Sequence, residues 1–279
     1  MFESISRSFG IVKKSFGVLM DEKKLLIFPI ISAIAILVVL ISFAVPIFLV
    51  NNQILLILLL FCFYFFSYFV VIFFNSALIH AVNEKLEGRP VSLAGSVAFT
   101  ISRAPNIILW AGISATVGLI LNMLRDMARN GKGIGAIIGG IMVSLLGMAW
   151  SIATFFVVPV IVFENVNPFT AFGRSVEIVK KTWSEQILGG FAIGMVFLVA
   201  YLVGIVLIIG GVLVIPLVFV LVPLGLMIMF MAFIAQGAVE GIFLAELYRY
   251  SKSGQSAIFK QEIEEARGSL VKPPTAGNP

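Results

Sequence analysis

Six stretches of this chain are apolar over a length that crosses a lipid bilayer, and they decide the fold class before any motif is read. A transmembrane helix needs roughly 20 residues to cover a hydrocarbon core about 30 Å thick. The stretches lie at about 25–50, 54–82, 105–124, 134–163, 187–209 and 212–248. Inside hydrocarbon every backbone N–H and C=O has to be satisfied within its own segment, so each stretch is read as a helix. Composition agrees: 60% of the 279 residues are hydrophobic and 12% charged, too few charges to cover a water-soluble surface. That excludes a soluble enzyme, a disordered chain and a large domain outside the membrane. Apolar character begins near Leu25 and runs too long for a signal-peptide core, so no cleavable signal is expected.

Orientation follows from charge. Asn51-Asn52-Gln53 and Gly210-Gly211 form very short connections, and Arg125 to Gly133 forms a small charged turn. Of the 19 lysines and arginines, only Arg125, Arg129 and Lys132 fall on that side; the other sixteen fall on the side of the termini. Lys and Arg are retained on the cytoplasmic side, so both termini are expected there, in the plasma membrane, with three hairpins pointing outward. The same retention explains the net charge of +5, which in a soluble protein would suggest nucleic acid; no nucleic-acid partner is expected here. Cys62 and His80 are the only residues of their kinds, so an intrachain disulfide, a Cys-based metal site and a zinc-hydrolase motif are excluded.

A segment recurs. Arg7-Ser8-Phe9-Gly10-Ile11-Val12-Lys13-Lys14-Ser15-Phe16 matches Arg174-Ser175-Val176-Glu177-Ile178-Val179-Lys180-Lys181-Thr182-Trp183 at six of ten positions. A fainter third copy begins at Ser96-Val97. Each copy precedes two spans, so the expected unit is a leading helix followed by a hairpin. Ile5, Phe9, Val12, Phe16 and Leu19 share one helical face, as do Phe172, Val176, Val179 and Trp183. Such helices are expected flat at the cytoplasmic interface. Arg7, Lys13, Lys14, Phe16, Arg174, Lys180, Lys181 and Trp183 are therefore candidates for binding anionic lipid, or else the helices are elbows that brace the bundle.

The run Val158-Pro159-Val160-Ile161-Val162-Phe163-Glu164-Asn165-Val166-Asn167-Pro168-Phe169-Thr170-Ala171-Phe172-Gly173-Arg174-Ser175, continued by Lys180-Lys181-Thr182-Trp183-Ser184-Glu185-Gln186, carries a resemblance. Together with Leu247-Tyr248-Arg249-Tyr250, Gly254 and Phe259, it resembles a bacterial and archaeal family of six-span membrane proteins classed as a domain of unknown function. That family is distantly similar to the membrane domain attached to some glycerophosphodiester phosphodiesterases. The resemblance covers essentially the whole chain. It departs at Asn167-Pro168, where the family pattern has Gly-Pro. It implies the six-span architecture and no activity, because the soluble phosphodiesterase domain is absent.

Polar residues in spans are functional candidates. Ser76, His80 and Glu84 repeat every four residues on the second span, beside Asn75 and Asn83; Gln236, Glu240 and Glu246 lie on the sixth. At about 1.5 Å per residue, His80 is roughly 39 Å from Ile54 and Glu240 roughly 40 Å from Leu213. Both therefore emerge near the cytoplasmic interface, where Asn75, Ser76, His80, Gln236 and Glu240 would line a polar vestibule or simply cap long helices. No span holds an ionisable residue at its midpoint, which argues against a proton-coupled pump. Gly131, Gly135 and Gly139, and Gly190 and Gly194, are spaced for tight helix packing. Pro29, Pro46, Pro159, Pro216 and Pro223 predict kinks or broken turns. Glu177 and Lys181 are read as a helix pair and Glu164 as an exposed loop residue.

The expectation is an all-α polytopic membrane protein, one domain over residues 1–267 with a leading helix at 3–20 and a disordered tail at 268–279. No catalytic, metal or cofactor residue is assigned. The leading reading is a non-enzymatic protein that organises lipid, expected to be anionic, or supports a protein partner or a second copy at the cytoplasmic leaflet. The alternative is a transporter or lipid translocator with a cytoplasmic vestibule. An intramembrane lipid enzyme stands third, on the family association alone.

Overall fold

A computed structural model describes residues 13–131 and 133–253, with only the backbone of residues 183–188 and 253. Arg7 and the side chain of Trp183 lie outside the described parts. Residues 13–21 form α1, and a 3₁₀ turn at Lys23–Leu26 leads into α2 (Ile27–Leu49). There follow α3 (Gln53–Leu86), α4 (Leu93–Ser102), α5 (Ala104–Asn130), α6 (Ile134–Ala153), α7 (Val157–Glu164), α8 (Pro168–Lys181), α9 (Trp183–Leu213) and α10 (Val218–Ser253). No strand occurs among the described residues. Six helices are long and apolar enough to cross a membrane: Lys23–Leu49, Gln53–Leu86, Ala104–Asn130, Ile134–Glu164, Gly189–Leu213 and Ile215–Lys252. The protein is an all-helical, multi-pass chain.

Local chemistry sets the boundaries. Asn52 caps α3 by accepting from the N–H groups of Ile54 and Leu55 at 2.9 and 3.1 Å, and Ser92 caps α4 through Gly95 at 3.0 Å. Asn167 caps α8 through Thr170 at 2.9 Å, with Pro168 in the first turn, where its missing N–H costs nothing. The Asn167-Pro168 pair is thus a helix start. Asn165, in the left-handed region at φ 51, ends α7.

The break between α6 and α7 is held by one serine. Pro159 cannot donate a backbone N–H, and the chain opens at Thr154–Phe156. Ser175 on α8 donates to the Ala153 carbonyl at 2.7 Å and accepts from the Phe156 N–H at 3.0 Å. Buried backbone groups freed by the break are satisfied from a different helix.

The long helices pack as sequence neighbours, α2 on α3, α5 on α6 and α9 on α10, and α3 also meets α4, α5, α7 and α10. Fully buried side chains such as Ile79, Val82, Phe156, Ile161, Phe243 and Leu247 lie towards one end, where the C-terminal parts of α3 and α10 meet α7 and α8. At the other end Phe48 is 92% and Phe219 87% exposed, with Ile54, Leu213 and Ile215 similarly outward. Apolar side chains exposed on this scale suit hydrocarbon, where helices associate by close packing and hydrogen bonds rather than by escape from water.

The tightest approaches are made at glycines other than those the sequence singles out. A Cβ on Gly225 would lie 2.6 Å from the Gly204 carbonyl oxygen, and one on Gly204 would lie 2.9 Å from that of Gly225, so α9 and α10 touch backbone to backbone. A Cβ on Gly241 would meet Leu78 Cδ2 at 2.4 Å, where α10 crosses α3. Gly131 and Gly139 do sit against Ala128, but Gly135, Gly190 and Gly194 have nothing within 4 Å. The spacing of small residues was legible; which of them meet another helix depends on the tertiary arrangement.

Candidate functional site

α2 and α9 both lie against α10 without packing extensively on each other. The space this leaves is a cavity of about 770 Å³. Pro29, Ser32 and Ile36 of α2 form one wall, and Gly190, Ile193 and Tyr201 of α9 the opposite one. Asn75 and Leu78 of α3 and Gln236, Glu240 and Gly241 of α10 form its floor. Phe74, Phe155, Phe233 and Phe243 supply aromatic surface.

A directed hydrogen-bond chain crosses the site. The Tyr201 hydroxyl donates to Gln236 Oε1 at 2.9 Å, and Gln236 Nε2 donates to Glu240 Oε1 at 2.7 Å. Gln236 and Glu240 are four residues apart, which places them on one face of α10. Chemically the arrangement offers an apolar cleft with a graded polar edge ending in one carboxylate, the usual composition of a site for a small or amphiphilic molecule.

The expected vestibule divides. Asn75, Gln236 and Glu240 line the cavity together. Ser76 is buried and donates to the Ile72 carbonyl at 2.7 Å in its own helix. His80 lies within hydrogen-bond distance of Ser96 Oγ, 3.2 Å from Nδ1, and stacks on Phe99 with ring centroids 4.0 Å apart, joining α3 to α4. It does not line the cavity, so it is not a neighbour of Glu240 there. Tyr201 and Ser32 were not singled out in the sequence. A tyrosine in the middle of an apolar run was the available signal for the first; Ser32 gave none.

The buried end carries a separate charged network. Glu164 accepts from the Tyr248 hydroxyl at 2.7 Å, pairs with Lys252 at 2.8 Å and forms an ion pair with Arg174. It is therefore a part-buried tie between α7, α8 and α10, not the exposed loop residue expected from sequence. Arg249 reaches Asn83 at 2.8 Å and Glu87 at 3.4 Å, and Arg89 pairs with Glu84 and Glu87. The expected Glu177–Lys181 ion pair does not form among the described residues; both side chains are exposed.

Of the candidate interface residues, Lys13, Lys180 and Lys181 are exposed, and Lys14 is half-buried. Phe16 is turned inward, stacked on Phe197 of α9 at 5.6 Å. On α8 the apolar side is also turned inward. Ala171, Ser175, Ile178 and Val179 are buried, and Phe172 stacks on Trp150, which stacks on Trp110. Among the described residues no three His, Cys, Asp or Glu side chains gather where they could share a metal ion.

The family whose pattern matches residues 53–258 is described as a family of unknown function, DUF6159, and the chain belongs to it. No curated protein matches the sequence.

Proposed function

We propose that this family member is a non-enzymatic membrane protein that holds a lipid of the cytoplasmic leaflet in the cavity between α2, α3, α9 and α10. The cavity itself carries the reading: it is apolar over most of its wall, polar along one edge, and open between two helices that do not close on each other. Depth supports it. Counted from Leu213 at the outer end of α9, Tyr201 is about 18 Å down. Counted from Ile215, Gln236 is about 32 Å down and Glu240 about 38 Å. With sixteen of nineteen basic residues on the inner side, the polar edge runs from within the inner leaflet to headgroup level. The exposed Lys13, Lys180 and Lys181 add basic charge suited to the anionic inner surface of a membrane. Three hairpins, each preceded by a short helix (α1, α4 and α8), supply the repeated frame.

The test is purification from native membranes in a lipid-retaining medium, exhaustive exchange into detergent, and quantitation of everything that stays bound. The expected result is lipid retained at about one molecule per chain. A stoichiometric protein partner with no retained lipid would overturn the reading and make the chain an accessory subunit.

A lipid translocator is the second reading, favoured by the polar chain that extends from Glu240 up to Tyr201 within the leaflet. Vesicles containing the protein would then equilibrate labelled lipid between leaflets, and vesicles that held their asymmetry would remove it.

A further inference from the structure

We propose that the lipid held in this cavity is one whose headgroup carries a primary ammonium, and that Glu240 is the residue that selects it. The inference rests on the lipid-binding reading above and adds the headgroup class.

The charge of the lining is one-sided. Among the described residues Glu240 is the only carboxylate on it, and no described lysine, arginine or histidine lines the cavity. The arginines nearest that end of the bundle are engaged elsewhere. Arg249 and Arg89 pair with Glu87, Arg174 pairs with Glu164, and Arg103 donates to the Val162 carbonyl at 3.4 Å. The hydrogen-bond chain is directional: Tyr201 spends its donor on Gln236, and Gln236 turns its amide towards Glu240 Oε1. Among the described residues Glu240 Oε2 receives no hydrogen bond or ion pair, and the Asn75 side chain makes no hydrogen bond. Glu240 Oε2 is therefore an unpaired acceptor at the edge of the space, beside the Asn75 amide, which brings both an acceptor and a donor. A carboxylate with no counter-charge in an apolar cleft attracts a cation and repels a headgroup whose only charge is a phosphate. The rings of Phe74, Phe155, Phe233 and Phe243 face the same space, and ammonium groups are held over aromatic faces by the ring quadrupole. The acyl chains pass out between α2 and α9, beside Ile36.

The experiment uses the full chain in detergent, with phosphatidylethanolamine and phosphatidylglycerol of identical acyl chains offered in equal amounts and bound lipid counted by native mass spectrometry. Wild-type protein should favour the ethanolamine lipid by about tenfold, and Glu240→Gln should reduce the ratio to near one, while Glu177→Gln on the exposed face of α8 leaves it unchanged. The difference between the two variants separates the cavity carboxylate from loss of a negative charge elsewhere on the chain. Equal retention of both lipids by wild type, a preference for phosphatidylglycerol, or a preference that survives Glu240→Gln would overturn the headgroup assignment and leave lipid binding standing. Loss of all bound lipid from wild type would overturn the underlying reading as well. The wild-type ratio decides the matter even if the variant fails to fold. Displacement of the bound lipid by free ethanolamine would assign the site to a soluble amine instead.

Discussion

Ser175→Ala removes a single oxygen and should be among the most damaging conservative changes in the chain. Ser175 and Phe156 are both fully buried, and the serine hydroxyl is the partner of two backbone groups at the α6–α7 break. Alanine leaves the Phe156 N–H without an acceptor, at about 1–3 kcal/mol for a buried donor. The Ala153 carbonyl loses a neutral hydrogen bond worth about 1 kcal/mol. The sum is about 2–4 kcal/mol, with no transfer of apolar surface to offset it. Trp110 and Trp150 stack at 5.8 Å beside the break, so their fluorescence should report its opening during thermal or denaturant unfolding in micelles. Ser144→Ala is the control, since Ser144 is exposed and bonds only to the Gly140 carbonyl within its own helix; its effect should stay under about 0.5 kcal/mol. If Ser175→Ala were as stable as Ser144→Ala, the serine would not be holding the break.

Two further outcomes follow from the packing and one from the charge asymmetry. Gly225→Val should force α9 and α10 apart at the 2.6 Å approach to Gly204 and cost about 1–3 kcal/mol, whereas Gly194→Ala, with nothing within 4 Å, should be neutral or slightly stabilising in the same unfolding assay. Tyr248→Phe should cost about 1–2 kcal/mol by removing the 2.7 Å bond to Glu164 while keeping the stack on Phe163, and the double change with Glu164→Gln should be less than additive. In a Cys62→Ser background, Asn51→Cys and Arg129→Cys should react with an impermeant thiol reagent from outside the cell and Glu177→Cys only after permeabilisation; the opposite pattern would reverse the assigned orientation.

The spans were legible because hydropathy is a local property and the bilayer demands about twenty residues of it. The cavity was only half legible. Asn75, Gln236 and Glu240 stood out as polar residues towards the C-terminal ends of long helices. Their meeting with Tyr201 depends on α2 and α9 flanking α10, and no residue spacing encodes that. The same reasoning separates His80 from Glu240: both lie towards the C-terminal ends of long helices, yet α4 folds back and takes the histidine through Ser96 and Phe99. Glu164 read as a loop residue; two of its three partners, Tyr248 and Lys252, come from α10, more than eighty residues away. The repeated Arg-Ser motif was visible, but its serine serves the backbone at 153–156, a need created by a helix break that only the fold reveals.

The most direct measurement is photo-crosslinking from inside the cavity. A photoreactive residue placed at Ile36, on the cavity wall, should capture lipid in native membranes and yield one defined lipid adduct per chain. The same residue at Phe219, exposed at the opposite end, should capture a mixture that mirrors the bulk membrane. Identical mixtures from both positions, or no lipid captured at Ile36, would contradict a cavity that holds a lipid.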